Sequence, residues 1–184
     1  IVQHPDQRLG IVFILLGAQG IGKDMIFEQI IRVFGSQNVA VLEENELNGN
    51  FTSFLIKQIV CLQEVKLTKA TYRRLKGWTG QNAGKVRING KYGAQYEIDP
   101  VANFMATGNE ASFSEELEVD DRRFAIYDSP AQPMPDAWYQ AKARAISGDE
   151  AELERVNEYL WTRDVTNFNP KGRAPDFGAK RGVI

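Results

Sequence analysis

Gly17-Ala18-Gln19-Gly20-Ile21-Gly22-Lys23-Asp24 stands between the apolar run Ile11-Val12-Phe13-Ile14-Leu15-Leu16 and a stretch, residues 25–34, with helical spacing. Strand, glycine-rich loop, lysine and helix, in that order, make the context of a phosphate-binding loop. Glycines let the backbone curl so that successive N–H groups face phosphate oxygens, and the helix adds its positive dipole end. The stretch predicts that Gly17, Ala18, Gln19, Gly20, Ile21, Gly22, Lys23 and Asp24 hold a nucleotide, with Lys23 on the β- and γ-phosphates. The usual hydroxyl residue after the lysine is replaced by Asp24. An aspartate there can hold Mg2+ directly or through water, and it brings negative charge near the phosphates.

Working outward, 184 residues suit one domain with a small appendage. No apolar run approaches the ~20 residues of a membrane span, and no signal peptide is visible, so an intracellular, cytoplasmic setting is expected. The chain opens Ile1-Val2-Gln3-His4-Pro5 without Met and reads as a piece of a longer protein. A single cysteine, Cys61, and a single histidine, His4, exclude a disulfide framework and argue against structural zinc. Cys61 sits in an apolar run and reads as a small buried hydrophobe. Net charge is −2, but Lys66, Lys69, Arg73, Arg74, Lys76, Lys85, Arg87 and Lys91 follow one another with no acid among them. Acids cluster afterwards, at Glu110, Glu115, Glu116, Glu118, Asp120 and Asp121. A basic segment in a slightly acidic chain predicts a local surface for a polyanion.

Residues 38–42 read as a strand, 43–50 as polar turn and 51–57 as a short helix. Ile59-Val60-Cys61-Leu62 is a continuous apolar run, the pattern of a strand covered on both faces of a parallel sheet. Residues 67–78 have helical spacing, with Leu67, Ala70, Leu75 and Trp78 on one side. Residues 85–88 and 92–98 flank Asn89-Gly90, a hairpin signal. Residues 101–107 and 124–127 read as strands. Residues 136–146 and 149–161 read as helices broken at Ser147-Gly148, with an irregular tail from Asn167. The fold class expected is α/β, a three-layer P-loop NTPase of AAA+-like type. It has a central, mostly parallel sheet, a β-hairpin insertion and a C-terminal helical extension. The ATPase core is placed at 1–130 and the extension with its tail at 131–184.

The strand at 59–62 ends on Gln63-Glu64, where Glu64 is placed to polarise water and to help bind Mg2+. Gln63 stands where an Asp would contact the metal through water, so Asp24 supplies the missing carboxylate in this reading. Asn109 ends the next strand and is within reach of the γ-phosphate or the water. Arg122 and Arg123 offer planar cations suited to phosphate, delivered from a neighbouring subunit. The other reading of these arginines is an ion pair with Asp120 or Asp121. Lys85, Arg87 and Lys91 would neutralise phosphates of DNA, with Tyr92 stacking on a base.

GAQGIGKD (17–24), IVCLQE (59–64), the basic hairpin, NFMATGN (103–109) and DDRRF (120–124) occur in that order. Together they resemble the superfamily 3 helicases, and within them the primase-associated helicase domain of phages, plasmids and large DNA viruses. The resemblance covers residues 10–165. It implies an AAA+-like ATPase assembled as a hexameric ring that threads single-stranded DNA, usually 3′ to 5′. By position it implies a nucleotide loop at 17–24, a catalytic acid at Glu64, a sensor at Asn109, a finger at Arg122 or Arg123 and a pore hairpin at 85–91. The departures are Gln63 and a missing primase or winged-helix segment, which is expected outside this chain.

Three functions are consistent with these motifs. The first is an ATP-dependent DNA helicase or translocase serving replication of a mobile element, with ATP and Mg2+ as ligands and forked or single-stranded DNA as partner. The second is an ATP- and DNA-binding loading module with little hydrolysis, which Gln63 and Asp24 favour. The third is a small-molecule kinase, which leaves the basic hairpin without a role.

Overall fold

The computed structural model describes residues 1–79, 84–91, 93–109 and 121–177. Five parallel strands form the central sheet: β1 (Val12–Leu16), β2 (Val39–Leu42), β3 (Ile59–Leu62), β6 (Asn103–Gly108) and β7 (Phe124–Asp128). Their spatial order is β2-β3-β6-β1-β7. A separate two-stranded antiparallel ribbon joins β4 (Val86–Ile88) to β5 (Tyr96–Ile98).

Side chains alternate across a strand, so a sheet buried on both faces needs apolar residues at every position. β3 satisfies this: all four residues are buried. Ile59 and Cys61 face α1 (Met25–Phe34), where Phe27, Val39 and the partly buried Ile30, Ile31, Phe34 and Met105 complete one core. Val60 and Leu62 face the opposite layer with Val12, Ile14, Leu16, Phe104, Ala106, Phe124 and Ile126. That layer contains α2 (Glu44–Leu47), a 3-10 turn at Ser53–Ile56, α3 (Lys69–Thr79) and the inner face of the ribbon, Val86 and Ile88. The three layers and the mostly parallel sheet agree with the sequence reading. Against α1 lie two more helices, α4 (Asp136–Gly148) and α5 (Glu150–Thr162).

Several local expectations are corrected. The polar stretch after β2 contains α2, whose first turn is closed by a reciprocal capping box between Glu43 and Glu46. The short helix expected at 51–57 is a single 3-10 turn. α3 buries Thr71, Tyr72, Leu75 and Thr79, and Ala70 is exposed. The ribbon register pairs Val86 with Ile98, Arg87 with Glu97 and Ile88 with Tyr96, so its loop spans 89–95 and Asn-Gly is not a two-residue turn. Thr52 explains the shorter strand: its hydroxyl accepts from the Asn89 N–H (2.8 Å) and donates to the Arg87 carbonyl (2.9 Å). α4 runs through Ser147-Gly148, and the chain turns at Asp149, whose carboxylate accepts from the Glu152 N–H and caps α5.

Candidate functional site

All five parallel strands end at one edge of the sheet, the edge where open α/β sheets carry their ligands. β1 ends in the loop 17–24, β3 in Gln63-Glu64, β6 in Asn109 and β7 in Asp128-Ser129. The order β3-β6-β1-β7 therefore brings together residues far apart in sequence. Asn109 follows β6, which neighbours the Glu64 strand as expected and also lies beside the loop strand, a placement the sequence did not specify.

The loop has the curled backbone its glycines suggest. Gly20 lies at φ +80° and Gly22 at φ +82°, a region where side-chain-bearing residues are strained. The Lys23 ammonium donates to the carbonyls of Gly17 (2.9 Å) and Ala18 (2.8 Å) and to Asn109 Oδ1 (3.2 Å). The cation is thus held at the mouth of the loop and tied to the neighbouring strand. α1 comes directly after, with Asp24 at its N-cap position making no side-chain cap hydrogen bond. The Asp24 carboxylate instead accepts from the buried Thr107 hydroxyl at 3.4 Å, and that hydroxyl accepts from the Glu64 N–H at 3.5 Å. Asp24, Thr107 and Glu64 form one chain of contacts across two strands. Glu64 is the non-glycine residue with positive φ, +47°, among the described residues, and its side chain is exposed. No cluster of three or more metal-binding side chains occurs among the described residues.

The two arginines separate. Arg123 Nε donates to Asp121 Oδ1 at 3.0 Å, and so does its backbone N–H. Asp121 is buried and also accepts from the Tyr72 hydroxyl (2.6 Å), with Lys76 at 3.3 Å. Burial alone would raise the Asp121 carboxyl, but the Tyr72, Arg123 and Lys76 donors outweigh it and hold the group below the usual carboxylate range. Burial, then the bond to Asp121, pushes Tyr72 up to about 12. The ion-pair reading thus describes Arg123. Arg122 is exposed. β1 and β7 run in register from Val12↔Phe124 to Leu16↔Asp128, so Arg122 lies at the opposite edge of the sheet from Lys23 of its own chain. The strand alone separates them by about 13 Å.

The basic segment also divides. Arg74 donates to the carbonyls of Leu47 (2.9 Å) and Gly49 (2.7 Å), and Lys76 serves Asp121. Lys66, Lys69, Arg73, Lys85, Arg87 and Lys91 are exposed, with Glu97 4.0 Å from Arg87 across the ribbon. Tyr92 lies outside the described residues, as do the acids Glu110 to Asp120. The ribbon presents Tyr96, half exposed.

Residues the sequence reading passed over are Thr107, Ser129 and Tyr139. Thr107 is a buried hydroxyl in an otherwise apolar strand, and that polarity was the available signal. The Ser129 N–H donates to the Leu16 carbonyl at 3.0 Å. A Cβ built on Gly17 would lie 3.3 Å from Ser129 Cβ, and one on Gly22 would lie 3.1 Å from Tyr139 Cε1. Two cavities of about 860 and 600 Å3 lie between the N-terminal segment and α5 and touch no residue of 17–24.

A family model described as a family of unknown function, DUF5906, matches residues 15–123, more than half of the chain. The chain belongs to that family. Its matched span runs from the end of β1 to Arg123 and includes the loop, Glu64, Asn109 and both arginines. The DUF5906 chain is also 25% identical over 172 residues to the DNA primase-polymerase of Nitratiruptor phage NrS-1, covering 84% of this chain and 24% of that protein. It is thus similar to a phage replication protein and spans about a quarter of its length. Solved apo structures of the NrS-1 C-terminal region share the fold. One has a TM-score of 0.75 at 23% identity over 97% of this chain and 42% of that one. A second gives 0.75 at 21% identity over 97% and 43%.

Proposed function

We propose that this DUF5906 domain is the ATP-hydrolysing, DNA-translocating part of a phage-type replication protein, working as a superfamily 3 helicase. The observation that carries the reading is the linkage of Lys23 to Asn109, with Glu64 on the next strand, around a loop curled for phosphates. The similarity to part of a phage primase-polymerase supports a replication role and a primase domain elsewhere in the full protein.

In this reading the loop N–H groups and Lys23 take the β- and γ-phosphates. Glu64 orients a water and accepts its proton as the water oxygen bonds the γ-phosphorus and the β–γ bridging bond breaks, giving ADP and phosphate. Asn109 hydrogen-bonds the γ-phosphate. Asp24 and Glu64 would supply the one or two carboxylates that Mg2+ takes beside phosphate oxygens and water. When bound, the ion neutralises charge on the phosphates. Arg122 serves the site of a neighbouring copy, because the sheet holds it away from its own, and this requires a ring. The exposed cations Lys85, Arg87 and Lys91 grip single-stranded DNA.

ATP turnover, measured with and without single-stranded DNA over a protein concentration series, is the test. Turnover rises with both variables and is absent in Lys23→Ala. Gln63, neutral where a metal-contacting acid is expected, favours the loading-module reading. ATP binding and assembly without turnover, with hydrolysis appearing in Gln63→Asp, would establish that reading instead.

A further inference from the structure

We propose that Trp138 and Tyr139, at the start of α4, form the shelf on which the base of a nucleoside triphosphate stacks. The inference rests on the reading of 17–24 as a phosphate loop. β1 is flanked by β6 on one side and β7 on the other. Beyond the loop, the groups read as serving the γ-phosphate end (Asn109, Thr107 and, past them, Glu64) stand on the β6 side, and Lys23 itself leans to Asn109 there. A triphosphate in the loop with its γ end toward β6 must send its nucleoside the other way, past the start of α1 toward β7 and the start of α4.

The chain places aromatic rings there. From Ser129 against Gly17, residues 130–135 lead to α4, and Tyr139 reaches the other end of the loop at Gly22. The position a Cβ would take on Gly22 is 3.1 Å from the Tyr139 ring and 3.3 Å from Met25 Sδ. Tyr139 is fixed: its hydroxyl accepts from the Met134 N–H at 2.8 Å, and its ring meets Trp138 edge-on at 5.1 Å and 88°. Trp138 is 40% exposed, with the Lys142 ammonium 5.6 Å from its ring centre. A fixed ring beside an exposed indole, next to a cation, is the equipment for stacking a base next to phosphate. Tyr139 also gives Gly22 a steric role, since any side chain there would push the ring away.

The experiment compares binding of ATP and of inorganic triphosphate, both with Mg2+, to the whole chain by titration calorimetry. Trp138→Ala is expected to weaken ATP by about tenfold or more and to leave triphosphate unchanged. Trp138→Phe restores most of the ATP affinity. ATP, but not triphosphate, changes the tryptophan emission, and Trp138→Phe removes that change. Equal affinities for ATP and triphosphate in the wild type, with no effect of Trp138→Ala, would overturn the shelf and leave the phosphate loop standing. Equal weakening of both ligands by Trp138→Ala would also overturn it, marking a packing role. Folded wild type that binds neither ligand would overturn the loop reading and the shelf with it.

Discussion

Glu64 holds its backbone at φ +47°, where a side-chain-bearing residue is strained by about 1–2 kcal/mol. The chain turns there at the end of β3 and leaves the Glu64 side chain exposed. Replacing Glu64 with Gly relieves the strain. Glu64→Gly is expected to raise stability in urea by up to about 1 kcal/mol while removing ATP turnover, a trade measured by a denaturation curve beside a phosphate-release assay. Glu64→Gln keeps the strain, so it should lose turnover with no gain in stability. Thr107 ties the Asp24 carboxylate to the backbone N–H of Glu64. Thr107→Val leaves the shape and removes the hydroxyl shared by Asp24 and Glu64, and it should lower turnover more than ATP affinity.

At the scale of elements, Asp121 joins α3 to β7. Its carboxylate gathers Tyr72 and Lys76 from the helix and Arg123 from the strand entrance. Asp121→Asn is expected to cost about 2–4 kcal/mol, because it leaves two cations facing a neutral group. The shifts set the pH signs. Asp121 is held below its ordinary pKa, so its contribution is complete above the unfolded value near 3.9 and disappears as pH falls through the lower folded value. Tyr72 is raised to about 12, so its contribution is complete below 10 and lost as pH rises toward 12. The gap in urea midpoint between wild type and Asp121→Asn should therefore close in acid. The ribbon makes a separate prediction. Lys85→Ala and Lys91→Ala should each reduce the salt slope of single-stranded DNA binding by about 0.7, without changing sequence preference. How much of this was legible depends on range. The loop 17–24, β3 and α1 are announced by local composition. The Asp121 clamp joins residues 49 positions apart, and no local pattern of Tyr, Lys and Arg specifies that pairing. The seven-residue span 89–95 hid behind an Asn-Gly signal because Thr52, distant in sequence, takes the strand's hydrogen bonds.

For the whole molecule, the position of β6 between β1 and β3 matters most, and it was the least legible feature. Strand order is set by long-range packing, whereas the expectation that Asn109 neighbours Glu64 needed only that the two strands be adjacent. The same sheet puts Lys23 at one edge and Arg122 at the other. Mixing Arg122→Ala with Lys23→Ala subunits is then expected to restore part of the turnover that each lacks alone, since some interfaces combine an intact loop with an intact arginine. Arg122→Ala by itself should lose about a thousandfold, and Arg123→Ala should act chiefly on stability. Persistence of full turnover in Arg122→Ala would remove the in-trans assignment. The sheet has one more consequence, for the experimenter. Its single cysteine, Cys61, is sealed against α1, and burial pushes the thiol up to about 12. Such a thiol stays protonated and ignores alkylating dyes at neutral pH. The native chain is therefore a ready background for spectroscopy: a cysteine introduced at the exposed Ala94 or Ser36 takes a label alone, and a pair of labels can track the ribbon and the sheet edge during a turnover.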